Sequence, residues 1–458
     1  MKEKREGFSS KLAVFFAILS SAVGLGNIWK FPTVVGENGG GAFVLVYLLF
    51  VLLVGIPVLV SEFFIGRRAK KNAIGAFNTL APGTKWRCVG GMGICAATLV
   101  FFFYSAVAGW VYSYLFKALT GEFTVFKGMD INAASKVAEN MFDQTVNGSF
   151  MPIIWQGIVL FVVGFIIVKG VKNGIEKVTK VLMPILFIII IICDIRALTI
   201  SGASQGLKFL FSIDFSKITG SVIMAALGLA FFKLSIGVSS MMTYGSYFTE
   251  KDNIVGNAIK LALADIVVSL LAGIAIFPVV FQYNMSPAAG PGLLFNTIPL
   301  VFSQMPFGNA LLVMFLFLTA MAATMAMISM AEPMVIYLCE EKKLNRRTAT
   351  ISLIIFVFAV GILTVHSKSI FANVPFSNMT FFDLYDKLSS NILLPIGGFL
   401  ISIFVGYVIK KEDVIDELSN KGTLQNLTLI NVYRIILRYI TPMLVILVFL
   451  SSIGVLNI

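Results

Sequence analysis

The chain repeats long apolar stretches of about 20 residues or more, with short polar segments between them. Such a stretch can cross a bilayer as a helix, which satisfies its own backbone hydrogen bonds. Hydrophobic residues make up 58% of the 458 positions and charged residues 13%, which excludes a soluble domain. We therefore predict a single all-α, polytopic transmembrane domain over residues 1–458. Its eleven spans fall near 11–35, 42–67, 88–118, 152–170, 179–200, 220–247, 257–282, 308–339, 347–364, 389–409 and 435–456.

The chain has a net charge of +12, and the positions of its basic residues predict its orientation in the membrane. Lysine and arginine concentrate in cytoplasmic loops, and here they recur in every second loop. This pattern predicts a multi-pass protein of the cell (plasma) membrane with a cytoplasmic N-terminus and, after eleven spans, an external C-terminus. It favours the lipid bilayer as a partner and argues against a nucleic acid; the interrupted helices described next favour a small-molecule partner, expected to be an amino acid. The clusters are Lys2, Lys4 and Arg5; Arg67, Arg68, Lys70 and Lys71; Lys169, Lys172 and Lys177; Lys342, Lys343, Arg346 and Arg347; Lys410 and Lys411.

The first and sixth spans are interrupted at their centres. Residues 20–27 read SSAVGLGN, where two glycines weaken the helix, and residues 231–240 read FFKLSIGVSS, which places Lys233 at mid-membrane. Non-helical backbone at that depth survives only where protein buries it or where it lines a cavity. Matching interruptions in two halves are typical of inverted repeats with a binding site between them. We therefore predict repeats over residues 1–200 and 220–409, plus an extra helix at 435–456.

Three carboxylates also lie within predicted spans. We interpret Glu62 and Glu332 as structural, bonded to unwound backbone, and Asp265 as functional, because it can offset the cost of burying Lys233. At the start of the fifth span, a glycine and a proline frame residues 174–184, a stretch that can unwind. No nucleophile–base set, metal cluster or phosphate loop is found, so the sequence does not favour an enzyme.

The segments between spans have simpler interpretations. Residues 119–151 and 201–219 are polar and predicted to be external, and the charged segment 410–433 is predicted to be internal. Segment 283–300 is too broken by proline and glycine to span and should form an external re-entrant cap. His366, the only histidine, is interpreted as a solvated loop side chain.

Several motifs together resemble those of the neurotransmitter:sodium symporters. Residues 24–32 (GLGNIWKFP) and 37–43 (ENGGGAF) look like the first-span signature of that family. Further similarity lies in 55–57 (GIP) with Glu62, 174–177 (GIEK), 244–247 (YGSY), 332–333 (EP) and 390–395 (SNILLP). The resemblance covers nearly the whole chain. It implies the LeuT fold of the bacterial eleven-span type, alternating access, and amino-acid or amine substrates.

The resemblance also implies a substrate pocket and two gates. Gly24 stands where amine transporters of the family carry an aspartate, which favours amino acids over simple monoamines. We expect the substrates to be hydrophobic or aromatic amino acids. The outer gate would pair Lys30 with Asp386, and the inner gate Arg5 with Glu340. The pocket would comprise Ser21, Ala22, Leu25, Gly26, Val100, Tyr104, Phe232, Ser235, Val238, Ala326 and Met330, with Lys233 beside the substrate carboxylate.

The two sodium sites of the family are altered here. The first would use Ala22 and Asn27, but Lys233 replaces a hydroxyl and Asp265 an amide. A lysine ammonium has no acceptor and cannot ligate a cation. The positions of the second site are Ser20, Val23, Ala322, Met325 and Ala326, where the last two replace hydroxyl side chains.

The altered sites lead to three hypotheses. In the first, Lys233 replaces a sodium ion with Asp265 as its counter-ion, so transport is sodium-independent and proceeds by exchange, facilitation or proton coupling. In the second, Lys233 snorkels to water and the protein is a sodium symporter with rearranged ligands. The third is a non-transporting receptor on the same fold. We expect no cofactor and no metal, and sodium itself is in question.

Overall fold

The computed structural model describes residues 7–288, 290, 292–367, 369–371, 379–452 and 455. Among these residues the structure is helical and contains no strand. Within the described ranges, nine helices are long and apolar enough to cross a membrane, and one bent pair adds a tenth span. The all-helical, polytopic prediction is therefore confirmed.

The spans follow the predicted order. The first is the bent pair Lys11–Ala22 and Gly26–Glu37, whose halves meet at 48°. The sixth consists of two helices that are each too short to cross alone, Gly220–Lys233 and Ser240–Gly245. The other nine are Gly41–Ala69, Arg87–Leu119, Met151–Val168, Val171–Leu198, Ile254–Gln282, Gly308–Glu341, Arg346–Val365, Phe381–Val408 and Leu427–Leu447.

Three predicted span starts are wrong by about two turns. The fifth span begins at Val171 instead of 179, the tenth at Phe381 instead of 389, and the eleventh at Leu427 instead of 435. In each case the helix extends through polar residues. Hydropathy detects only the part of a helix in hydrocarbon, whereas backbone hydrogen bonding continues into the interface.

Short helices occupy the longer connections. The segments predicted as external loops contain Ile131–Asn147 and Ala203–Phe211, and the segment predicted as internal contains Lys411–Leu418. A further helix, Ala73–Leu80, lies between spans two and three. The segment predicted as a re-entrant cap includes the helical stretch Leu293–Ser303, most of whose side chains are buried.

The structure contradicts the prediction that the side chain of His366 is solvated. His366 is 3% exposed, and its Nδ1 lies 3.1 Å from the Ser369 hydroxyl. The chain turns back after the ninth span, where the Phe371 amide donates to the His366 carbonyl at 3.0 Å. The histidine is therefore buried, which no local sequence pattern indicates.

Each interruption has a backbone conformation that ends the helix. In the first span, Val23 is extended, and the Asn27 Oδ1 accepts from the Gly24 amide at 3.1 Å. In the sixth, Ser235, Gly237 and Ser239 all have positive φ, which ends the helix. Gly237 has φ +82°, and a Cβ there would lie 2.8 Å from the Leu394 carbonyl oxygen, so glycine is required.

The start of the fifth span is wound in this structure. Residues Val171–Glu176 form a π-helical turn that continues into the α-helix from Lys177. The Glu176 carboxylate accepts from the Ser9 amide at 2.9 Å and from Lys180 at 2.6 Å. The N-terminal segment is thereby tied to the stretch predicted to unwind.

Candidate functional site

The two interrupted helices meet against the third and eighth spans. The Leu25 amide donates to the Tyr104 hydroxyl at 2.8 Å, which ties the first interruption to span three. The Ser235 hydroxyl donates to the Ser21 carbonyl at 2.9 Å, and the Ser329 hydroxyl bonds that of Ser21. Backbone groups of the first interruption and a hydroxyl of the sixth therefore lie close together in the protein interior.

Several side chains predicted for the substrate pocket lie beside this point. A Cβ added at Gly24 would lie 2.7 Å from both the Ala326 Cβ and the Tyr104 hydroxyl. A Cβ added at Gly26 would lie 3.6 Å from the Phe232 ring, so that ring packs beside the interruption. The remaining predicted pocket residues are buried in the same core: Ala22, Val100, Val238 and Met330.

Lys233 lies in a closed polar network. Its Nζ is 3.0 Å from the Asp265 Oδ2, and neither side chain is exposed. The Tyr47 hydroxyl lies 3.0 Å from the Lys233 Nζ and 3.0 Å from the Asp265 Oδ2, and the ammonium also donates to the Ser269 hydroxyl. Lys233 thus has three hydrogen-bond partners and does not snorkel to water.

Asn27 links this network to the interrupted first span. Its Nδ2 donates to the Asp265 Oδ1 at 2.7 Å and lies 3.0 Å from the Ser269 hydroxyl oxygen. Its Oδ1 accepts from the Gly24 amide. One side chain therefore bridges unwound backbone and the carboxylate that neutralises Lys233.

Sequence reasoning missed Tyr47 and Ser269. Ser269 lies one helical turn after Asp265, and this i+4 spacing is a signal that places both on one face. Tyr47 lies in a strongly apolar span, where its hydroxyl needs a partner. That need indicates some polar contact but does not identify Lys233 as the partner.

At the second sodium site, Met325 and Ala326 stand where the family has hydroxyl side chains. Neither supplies a side-chain oxygen, and both are buried. The neighbouring Thr324 has a hydroxyl, but this group lies 2.6 Å from the Tyr112 hydroxyl on span three. Ser20 donates to the Ala17 carbonyl in its own helix at 2.8 Å. The other two positions, Val23 and Ala322, are also buried.

The residues predicted for the gates are only partly brought together. Lys30 Nζ lies 3.3 Å from Asp386 Oδ1 and 3.9 Å from the centroid of the Phe232 ring. Glu340 accepts from the Asn72 amide at 2.7 Å and from its side chain at 2.9 Å. Its predicted partner, Arg5, lies outside the described residues.

The two carboxylates interpreted as structural bind backbone and arginine. Glu62 Oε1 accepts from the Gly237 amide at 2.6 Å, at the sixth-span interruption. Glu332 accepts from Arg346 at 2.6 and 3.0 Å and from the Tyr247 hydroxyl at 2.6 Å. Within the part of the chain that the structure describes, no three His, Cys, Asp or Glu residues form a group that could hold a metal.

Comparison with known proteins agrees with this architecture. The profile described as "Sodium:neurotransmitter symporter family" matches residues 5–148 and 149–457. "Uncharacterized sodium-dependent transporter YhdH" of Bacillus subtilis (strain 168) is 39% identical over 458 residues, which cover 100% of this chain and 99% of that protein. An "Uncharacterized sodium-dependent transporter" of Haemophilus influenzae is 33% identical, with 98% of each chain covered.

A solved structure is similar over the whole fold. It is titled "Crystal structure of MhsT in complex with L-phenylalanine" and matches with a TM-score of 0.90 at 37% identity. The match covers 98% of this chain and 100% of that one. MhsT has the LeuT fold, so the predicted fold is confirmed.

Proposed function

The chain belongs to the sodium:neurotransmitter symporter family, and from this premise we propose a transporter of hydrophobic or aromatic amino acids in which Lys233 replaces a sodium ion. The family consists of transporters, so the prediction that the chain is not an enzyme is confirmed. The protein is a multi-pass membrane transporter with a small-molecule substrate. The observation that carries the proposal is the buried contact between Lys233 and Asp265.

The pocket supports an amino-acid substrate. The amides of Leu25 and Gly26 and the hydroxyl of Tyr104 can hold a carboxylate, as freed backbone amides do in broken transporter helices. Phe232 and Met330 supply apolar surface for a side chain. MhsT, by its title, binds L-phenylalanine, which is a substrate of this class.

The crowding at Gly24 argues against simple amines. Recognition of an amine without a carboxylate needs a counter-charge from the protein. A carboxylate introduced at this position would begin with a Cβ only 2.7 Å from Ala326 and Tyr104. The pocket is therefore better suited to a zwitterion, which brings its own carboxylate.

The network supports a fixed charge in place of an ion. The Lys233 ammonium and the Asp265 carboxylate form a neutral pair, and Asn27 binds the carboxylate instead of a cation. A sodium ion at this point would face an ammonium that offers no acceptor. If Lys233 keeps its proton throughout the cycle, the protein acts as an exchanger or facilitator. If it releases the proton in one state, transport couples to protons.

The second candidate is a conventional sodium symporter with altered ligands. It is favoured by the names of both relatives, which describe sodium-dependent transporters. Met325 and Ala326 weigh against it, since a hard cation requires oxygen ligands.

Uptake into proteoliposomes separates the two candidates. Initial rates of radiolabelled phenylalanine uptake would be measured against sodium concentration, with potassium or choline as replacement and with or without internal amino acid. We expect uptake to persist without sodium. A steep, saturable sodium requirement in the wild type would establish the symporter instead.

The substitution Lys233→Thr makes this test sharper. It introduces a hydroxyl of the kind the family uses at this position, but it leaves Asp265 without its cation. We expect reduced uptake with no gain of sodium dependence, because the second site still lacks hydroxyls. A variant that transports well and requires sodium would indicate that Lys233 alone suppresses sodium binding.

The larger organisation is proposed on the same basis. Residues 1–200 and 220–409 would be inverted repeats that alternate access to the site, with 435–456 as an extra helix. The basic loops favour a cytoplasmic N-terminus and an external C-terminus in the plasma membrane. Lys30 and Asp386 would then close the outer path, and Arg5 with Glu340 the inner one.

A further inference from the structure

A groove of about 490 Å³ lies between spans three, four, five and eight. Its lining is almost entirely apolar, and two of the lining side chains, Val181 and Phe317, are 57% and 43% exposed. Because these exposed side chains are apolar and belong to membrane-spanning helices, the groove is accessible to lipid chains. The lining includes Leu115, Val162, Ile166, Val178, Leu182 and Met321.

The two polar features of the groove lie at different depths. Tyr112 and Thr324 lie well inside spans three and eight, and their hydroxyls are 2.6 Å apart. They satisfy each other, so this part of the groove does not require a polar ligand. Lys177 is the first residue of the α-helical part of span five, and its side chain is exposed.

Two further lysines, Lys169 and Lys172, lie in the short stretch of chain between the groove-lining residues Ile166 and Lys177. Lys169 and Lys172 are exposed like Lys177, and among the described residues none of the three takes part in an ion pair. The Lys169 Nζ lies 3.9 Å from the centroid of the Phe165 ring, whose side chain is 56% exposed. An ammonium over an exposed ring is typical of the interface between lipid tails and headgroups. Lys180, by contrast, is paired with Glu176.

We propose that this groove binds an anionic phospholipid. One acyl chain lies in the apolar groove, and the phosphate is held by Lys177 with Lys169 and Lys172. Apolar lining alone would accept any lipid, but the unpaired lysines select a headgroup with net negative charge.

The site has a consequence for the fifth span. Lys177, Val178, Val181 and Leu182 form one helical face of the groove wall, and all lie within residues 174–184. Unwinding this stretch would remove the wall. The bound lipid therefore favours the wound form and slows its opening.

Lipid binding can be measured on the purified full-length protein by native mass spectrometry. Phosphatidylglycerol and phosphatidylcholine with identical acyl chains would be titrated separately. We expect retained adducts of phosphatidylglycerol only.

Lys177→Ala should weaken that binding about fivefold, the contribution of one lysine at an anionic surface. Val181→Trp should abolish it by filling the groove. Lys71→Ala, an exposed lysine of another basic loop, is the matched control and should bind as the wild type does.

Hydrogen exchange of residues 177–182 gives a second measurement. Phosphatidylglycerol should slow exchange there in the wild type and in Lys71→Ala, but not in Val181→Trp. Equal binding of both lipids, or equal loss in Lys71→Ala and Lys177→Ala, would overturn the proposal. So would a protein dimer that Val181→Trp dissociates, since a second copy would then occupy the groove. None of these results depends on which ion drives transport.

Discussion

At the scale of single residues, Lys233 and Asp265 explain each other. Either charge alone would be costly at this depth in a membrane protein. Together they are 3.0 Å apart, unexposed, and hydrogen-bonded to Tyr47. The pair therefore adds no net charge to the site.

Removing one charge of the pair should destabilise the protein more than removing both charges. We expect Lys233→Met or Asp265→Asn alone to lower the free energy of unfolding by about 3–5 kcal/mol, because each leaves a buried charge unpaired. The double variant should recover much of that loss without recovering transport. Thermal unfolding in detergent of the wild type, the two single variants and the double variant measures these losses. Additive losses in the double variant would show that the two charges do not interact.

Tyr104 has a separate and testable role beside the interruption. Tyr104→Phe removes the group that accepts from the Leu25 amide and that would face a substrate carboxylate. We expect amino-acid affinity to fall by about 1–3 kcal/mol. Tyr112→Phe is the control, since it removes a hydroxyl of the same helix that bonds Thr324 outside the pocket. Equal effects in isothermal titration would contradict the assigned pose.

At the scale of elements, the start of the fifth span is held from two sides. Ser9 and Lys180 both bind the Glu176 carboxylate, and a Cβ at Gly174 would lie 2.1 Å from the Ile166 carbonyl oxygen. Close packing against span four thus requires glycine here. Glycine and proline both weaken helical hydrogen bonding, so we predict that the same stretch acts as a hinge.

Releasing Glu176 should loosen this hinge. Glu176→Gln keeps the shape of the side chain but removes the charge that binds Lys180. We expect faster hydrogen exchange across residues 174–184 than in the wild type. Glu139→Gln, on the short helix Ile131–Asn147, is the control. If exchange in 174–184 stays as slow as in the centre of span three for both variants, the hinge role is wrong.

For the molecule as a whole, we propose that access to the site alternates between the two sides, with populations set by weak contacts at each end. Lys30 and Asp386 are 25% and 35% exposed, so their pair is partly screened by water. A contact of this strength can close one side and still release it during a cycle. The buried Lys233 pair is less suited to such switching.

Breaking the outer pair should shift the protein toward the outward-open state. We expect Asp386→Asn to speed maleimide labelling of a cysteine placed at Asn391, which lines the cavity containing Lys30 and Asp386. The four native cysteines would first be replaced. Asp383→Asn, a helix-capping residue one turn away, is the control. Unchanged labelling in Asp386→Asn would contradict a gating role.

The sequence alone determined the order of the spans, the two interruptions and the pairing of Lys233 with a carboxylate. These follow from the bilayer, where backbone satisfaction and the cost of charge apply to each segment separately. Tertiary structure decided what surrounds the pair, because Tyr47 and Ser269 reach Lys233 from distant parts of the chain. It also decided that Thr324 bonds Tyr112. Which polar atoms meet depends on the packing of whole helices, and that packing is a property of all their contacts together.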